Sequence, residues 1–227
     1  MNILKMGYDH MIYGVNCQDS TVEYKNIKML CDGCSAGKHS EVGAKLFCKI
    51  FVDKYKKEVE EYGNDVCTYY LLNSSMEQLL NIVGGDLENV KNYASFTIFN
   101  IIKNKDFYDI YFCGDGYIIL IKDNNVEYIK IDCGEYPEYL VYNICKDREQ
   151  LKQYKDGVIV HNYMYNTDDY DAVGVASDGI RFIADRPDDD PLKIEFNNAL
   201  LSGKDIKVKL FINKHKEIFK DDVSILL

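Results

Sequence analysis

Arginine is nearly missing from this chain. It occurs only at Arg148, Arg181 and Arg186, so the first 147 residues offer no guanidinium fork for gripping an anion. Proline is scarce as well, three residues in 227, and no Gly/Ser-rich linker interrupts the sequence. Nothing marks a domain boundary, and the reading is a single domain over residues 1–227, an ordinary length for one core. Long apolar runs are lacking, since none approaches the ~20 residues needed to cross a bilayer. The opening "MNILKMGYDH" has neither the apolar stretch nor the small-residue cleavage site of a secretory leader. A soluble cytoplasmic protein is expected. Positive charge is outweighed, with 27 Lys and Arg against 37 Asp and Glu and a net charge of −10. Such a surface repels phosphate backbones and anionic lipid, which argues against nucleic-acid and membrane binding. The last 82 residues hold no cysteine, and the eight that exist are irregularly spaced. A disulfide framework would not leave that stretch unstapled, so the thiols are expected to be reduced.

What is present is strongly patterned. Short strand-like pieces open the chain at Ile3–Tyr13, Ser20–Lys25 and Lys28–Asp32, the last running into Gly33. Apolar residues then recur at Val42, Leu46, Phe47, Ile50, Phe51 and Tyr55, steps of three and four that mark one face of a helix. Ser40 is the expected N-cap, and Gly63 follows the end. A second helical pattern runs from Val66 to Val83 and halts at Gly84-Gly85. "ASFTIFNII", "FYDIYFC", "YIILIK" and "VEYIKI" follow as β-branched and aromatic runs, separated by turn residues at Lys103–Asp106, Gly114–Gly116 and Asp123–Asn125. They read as an antiparallel meander. "GVIVHN" and "AVGVASDG" add two strands, Pro191–Leu201 and Asp205–Phe219 read as helical, and "DDVSILL" closes the chain as a strand. Helices segregated from antiparallel strands mean an α+β fold, and roughly ten strands favour two stacked sheets with helices outside.

Five times an apolar stretch ends in aspartate, usually beside glycine. These are Asp19 in "VNCQDS", Asp32-Gly33 in "KMLCDG", Asp115 in "IYFCGDG", Asp178-Gly179 in "VGVASDG" and Asp221-Asp222 in "IFKDDVSILL". A carboxylate at a strand end is held by the sheet yet points toward solvent. Several together repel one another unless cations hold them, and hard divalent ions such as Mg²⁺ or Mn²⁺ prefer oxygen donors. A neighbouring glycine lets its backbone carbonyl approach the same ion. Asp-Gly is also the commonest turn dipeptide, so any one of these alone reads first as a turn. Five in order, each closing an apolar strand, are harder to dismiss. "CDGC" (Cys31 to Cys34) offers a rival in two thiols spaced for zinc. No second CxxC or HxxxH supplies the remaining ligands, which favours the Asp-Gly over the sulfurs.

The ordered series "NCQDS", "CDGCSAGKHSEVGAKLF", "ASFTIFNII", "FCGDGYIILI", "VGVASDGI" and "DDVSILL" resembles the metal-dependent type-2C protein Ser/Thr phosphatases. The likeness spans almost the whole chain and rests on the order, since "ASDG" or "DG" alone is weak. It implies an antiparallel β-sandwich flanked by helices on both sides, a four-layer α-β-β-α arrangement within the α+β class. It also implies two ions, Mn²⁺ or Mg²⁺. Asp32, Asp178 and Asp221 would ligate one, and Asp32 with the Gly33 carbonyl the other. Asp19 would hold a metal-bound water, and Asp115 with Asp178 matches a weaker third site. The implied reaction is hydrolysis of phosphoserine or phosphothreonine. Two ions ~3.5–4 Å apart share a water, lower its pKa toward neutrality and present it in line to phosphorus, so no protein nucleophile is required. The implied partner is a phosphorylated protein substrate, with a separately encoded Ser/Thr kinase. Lys-, Asn-, Ile- and Tyr-rich, Arg-poor usage points to an AT-rich bacterial genome.

The chain departs from the family's pattern at four places. Many members carry an arginine just before the first motif to grip the substrate phosphate. Here the region around Tyr13-Gly14 has none, and His10 is the nearest basic candidate for phosphate binding, without the bidentate fork of arginine. Gln18 stands where the family has an acid, one charge fewer for the second ion. Cys34 follows the Asp-Gly where eukaryotic members have a histidine, with His39 close by. "GDG" replaces "GDS" at Gly114–Gly116. The missing arginine and Gln18 leave two other readings open: a binding module on the same fold that has lost efficient catalysis, and a phosphatase of small phosphoesters. Cys17, Cys31, Cys34 and Cys113 border the proposed metal residues, so oxidative inhibition is a further expectation. "RPDDDP" (Arg186–Pro191) reads as a solvated loop, and His161 and His215 as structural.

Overall fold

The computed structural model of the chain describes residues 1–63, 66–134, 136–146 and 151–227; Arg148 lies outside them. Two five-stranded antiparallel sheets form the centre. The first sheet runs, in spatial order, β2 (Ser20–Tyr24), β3 (Ile27–Gly33), β4 (Phe96–Lys103), β5 (Phe107–Cys113) and β8 (His161–Asn166). The second runs β1 (Asn2–Lys5), β10 (Val223–Leu226), β9 (Ala172–Ala176), β6 (Gly116–Lys122) and β7 (Asn125–Ile131). Among the described residues the helices are α1 (Tyr8–Tyr13), α2 (Ser40–Tyr62), α3 (Thr68–Val83), α4 (Leu87–Asn89), α5 (Arg181–Ala184), α6 (Pro191–Leu201) and α7 (Asp205–Lys214).

Alternation along the strands builds the layers, because successive side chains leave a strand on opposite faces. In β4, Phe99 and Ile101 join Ile118 and Leu120 of β6 and Val175 of β9 in the core between the sheets. Phe96 and Ile98 of the same strand face the other way, into a second core with Phe47 and Phe51 of α2 and Leu71 and Met76 of α3. On the far side, Tyr117, Ile119 and Ile121 of β6 pack with Phe196 of α6 and Phe211 of α7. The architecture is the expected α+β sandwich with helices on both faces.

Several boundaries differ from the sequence reading. The strand expected over Ile3–Tyr13 ends at Lys5, and the chain turns into α1, whose N–H groups at Tyr8 and Asp9 bond the carbonyls of Phe219 and Lys220. No residue of α1 is buried, so it carries no apolar period to read. Ser40 is the first residue of α2 and not its cap; its Oγ donates to the Cys34 carbonyl at 3.0 Å. "GVIVHN" is a strand only from His161. Upstream, the Asn143 side chain bonds both the N–H and the C=O of Val158, at 2.7 and 3.0 Å, and takes the place of a strand partner. "RPDDDP" is a helix entry, since Asp190 caps α6 by accepting from Leu192 and Lys193 N–H. His161 stacks on Phe112 and His215 packs against Phe211.

Candidate metal centre

The five Asp-bearing turns meet where the two sheets open at one end. Asp32 and Gly33 close β3, opposite Thr97 and Phe96 of β4. Asp19 immediately precedes β2, and Asp115 lies in the turn by which β5 of one sheet passes to β6 of the other. Asp178 follows β9, and Asp221 and Asp222 precede β10, the neighbour of β9. Strands from both sheets therefore deliver carboxylates to one cleft of about 280 Å³, lined by Asp32, Gly33, Thr97, Asp115, Asp178 and Asp221. Two close approaches require glycine. A Cβ at Gly33 would lie 2.7 Å from the Gln18 carbonyl oxygen, and one at Gly179 would lie 1.8 Å from that of Asp222. The second contact presses the Asp178 turn onto the start of β10.

The carboxylates raise one another's pKa. Burial drives Asp32 well above the usual range, and Asp19, Asp178 and Asp221 add to it. Burial also takes Asp19 up to about 7, against the Ser224 hydroxyl and with help from Asp222. Asp178 rises to about 6 through burial, although the Arg181 guanidinium pulls it down while Asp221 and Asp115 push it up. Asp115 is raised by burial, then by Asp132 and Asp221. Asp19 is fully buried, and neither of its oxygens has a hydrogen-bond partner of good geometry among the described residues. Thr97 Oγ1, on the cleft wall, is likewise unpartnered. A cluster of carboxylates that raise one another's pKa, with the buried Asp19 beside it, fits hard divalent cations, which prefer oxygen donors.

The chain's family is decided by its sequence. A family model described as protein phosphatase 2C matches residues 6–207. The chain belongs to the protein phosphatase 2C family. Solved structures agree at the level of the fold. A bacterial serine phosphatase is 15% identical with a TM-score of 0.65, covering 99% of this chain and 94% of its own. The serine/threonine phosphatase Stp1 from Staphylococcus aureus is 15% identical with a TM-score of 0.60, covering 99% and 92%. The catalytic domain of the serine threonine protein phosphatase PstP, in complex with two manganese ions, is 13% identical with a TM-score of 0.62, covering 99% and 94%. No curated protein matches the sequence.

The phosphatase-family motifs do not all meet in the cleft. His10 does not line it. Its Nδ1 lies 2.9 Å from Asp222 Oδ1, out of line for a hydrogen bond, and its Nε2 lies 3.7 Å from Asp221 Oδ1. His10, Asp221 and Asp222 form a tight group within 4.8 Å, yet both Asp222 oxygens already accept backbone N–H bonds, from Gly7 at 2.7 Å and Gln18 at 2.6 Å. That group ties the segment before β2 to the start of β10. The Gln18 amide donates to Ser40 Oγ at 3.0 Å and so braces the entry to α2. Cys34 lines the cleft, whereas Cys31 is buried with its Sγ 3.6 Å from that of Cys48. The two sulfurs of "CDGC" thus face different surroundings. His39 stacks on Tyr93. Burial pushes the thiols of Cys17, Cys31 and Cys113 up.

Sequence reasoning missed two residues. Asp222 is the buried half of an Asp-Asp pair, and only Asp221 lines the cleft. Arg181, one of three arginines in the sequence, is the other. Its Nη1 donates to Asp178 Oδ2 at 2.5 Å, and the i, i+3 spacing from Asp178 into a helix was the available signal.

Proposed function

We propose that this chain is a Mn²⁺- or Mg²⁺-dependent phosphatase acting on phosphoserine and phosphothreonine in proteins. The observation that carries the reading is the convergence of Asp32, Asp115, Asp178 and Asp221 on one cleft, with the buried Asp19 beside Asp32. Asp32, Asp178 and Asp221 would hold one ion, Asp32 with the Gly33 carbonyl a second, and Asp115 with Asp178 a weaker third. Bound divalent ions supply an activated water and neutralise the phosphoryl oxygens. The chain's own part is positional. The β3 and β10 ends fix two carboxylates on opposite sheets, and the Gly179 contact fixes the third against β10. Buried Asp19, beside Asp32, would orient a proton-bearing ligand of the site.

The test is hydrolysis of p-nitrophenyl phosphate and of a phosphothreonine peptide, with Mn²⁺ or with EDTA, by wild type and Asp178→Asn. The expected result is activity on both substrates that requires Mn²⁺ and falls at least ~100-fold in the variant, the size of a lost electrostatic contact in the transition state. Turnover of the small ester alone would assign the protein to small phosphoesters. Folded protein without activity on either would assign it to binding rather than catalysis.

A further inference from the structure

We propose that Arg181 is an exchangeable cation of the cleft: it neutralises Asp178 and Asp221 in the metal-free protein and binds the substrate's phosphoryl group once divalent ions hold those carboxylates. The proposal rests on the metal-centre reading above. Arg181 Nη1 bonds Asp178 Oδ2 at 2.5 Å, and Nη2 stands 3.9 Å from Asp221 Oδ2. Both carboxylates line the cleft. The guanidinium therefore occupies the position of a counter-ion between two proposed metal ligands. Arg181 does not itself line the cleft, but it reaches two residues that do, and its side chain is 44% exposed, which leaves it room to move. The Phe182 ring, 4.9 Å from the guanidinium carbon, gives it an apolar rest.

Charge balance gives the reason for a second role. Asp19, Asp32, Asp115, Asp178 and Asp221 carry up to five negative charges, against four positive on two divalent ions and six if the weaker third ion is bound. A phosphomonoester brings about −1.5 to −2 more at neutral pH. A further cation would meet it, and three basic groups of this end of the molecule already have partners. His10 faces Asp221 and Asp222. Lys130 reaches Asp132 and Asp185, and Arg186 is tied to Asp190 and the Phe182 carbonyl. A divalent ion outcompetes a single guanidinium for carboxylate oxygen, and the freed planar fork matches phosphate bidentately. The N-terminal segment, which lacks arginine, then needs no clamp of its own.

The experiment combines calorimetric titration of Mn²⁺ into metal-free protein, titration of inorganic phosphate into Mn²⁺-loaded protein, and p-nitrophenyl phosphate kinetics. It compares wild type, Arg181→Ala and Arg181→Lys, with thermal melts to confirm folding. Arg181→Ala should bind Mn²⁺ about two- to fivefold tighter, the reach of a partly exposed ion pair. It should bind phosphate about 10- to 100-fold more weakly, the range for hydrogen bonds to a charged group, with KM raised alike and kcat changed less. Arg181→Lys should fall between. Unchanged phosphate affinity in Arg181→Ala, or Mn²⁺ affinity that falls instead of rising, overturns the proposal. Wild-type protein that binds no Mn²⁺ overturns the metal centre and this role together. Intact Mn²⁺ binding with an unaffected Arg181→Ala variant overturns this role alone.

Discussion

The carboxylate of Asp222 receives two backbone N–H groups, from Gly7 and Gln18, in a buried setting. Truncation to alanine strands both donors, at about 1–3 kcal/mol each. Asp222→Ala is therefore expected to lower the urea midpoint sharply, while Asp221→Ala, which removes a single part-buried bond from the Asp222 N–H at 3.0 Å, should lower it less. Titration gives a second residue-scale prediction. Burial lifts Asp19 to about 7 and Asp178 to about 6, from 3.8 in the unfolded chain. A carboxyl with a higher pKa folded than unfolded favours folding at low pH, and that contribution is lost as pH rises through the folded value. In EDTA, stability should fall from about pH 5 to about pH 8, and Mn²⁺, which selects the ionised carboxylates, should offset that fall. Equal denaturation midpoints at the two pH values in EDTA would contradict it. Asp32, Asp115 and Asp178 were legible in the sequence because each ends or follows an apolar strand; Asp19 and Asp221, expected to do the same, instead precede β2 and β10. The partition between Asp221 and Asp222 was not legible, because it depends on which one meets the Gly7 and Gln18 amides.

At the scale of elements, α2 passes so close to the Tyr93 turn that a Cβ at Gly43 would sit 1.5 Å from the Tyr93 carbonyl oxygen. Gly43→Ala must push helix and turn apart. Overpacking of this kind costs about 1–3 kcal/mol, and more where backbone is the obstacle. A chemical-denaturation curve reads the loss, and an unshifted midpoint would mean the helix has room to move. Long periodic elements were readable from the sequence. Strands β4 to β7, α2 and the Pro191–Leu201 helix all appear where apolar pattern and turn residues place them, but the expected meander is broken into two hairpins, because β5 passes to β6 of the other sheet instead of pairing with it. Two short elements were not readable. Exposed α1 buries no face, and the apolar stretch before His161 is bonded by the Asn143 side chain instead of a strand.

For the whole molecule, the four-layer fold is the device that brings strand ends of two sheets to one cleft. The fold class was legible because helices and strands are segregated along the chain. The cleft's charge balance was not, because Arg181 joins it only through the turn after Asp178. No helix among the described residues is long and apolar enough to cross a membrane. The measurement that tests the central claim most directly is the stoichiometry of Mn²⁺ binding by calorimetry, on wild type and on Asp178→Asn. The account predicts at least two ions on wild type and loss of at least one in the variant, with its fold intact. Folded wild-type protein that takes up no Mn²⁺ would contradict it.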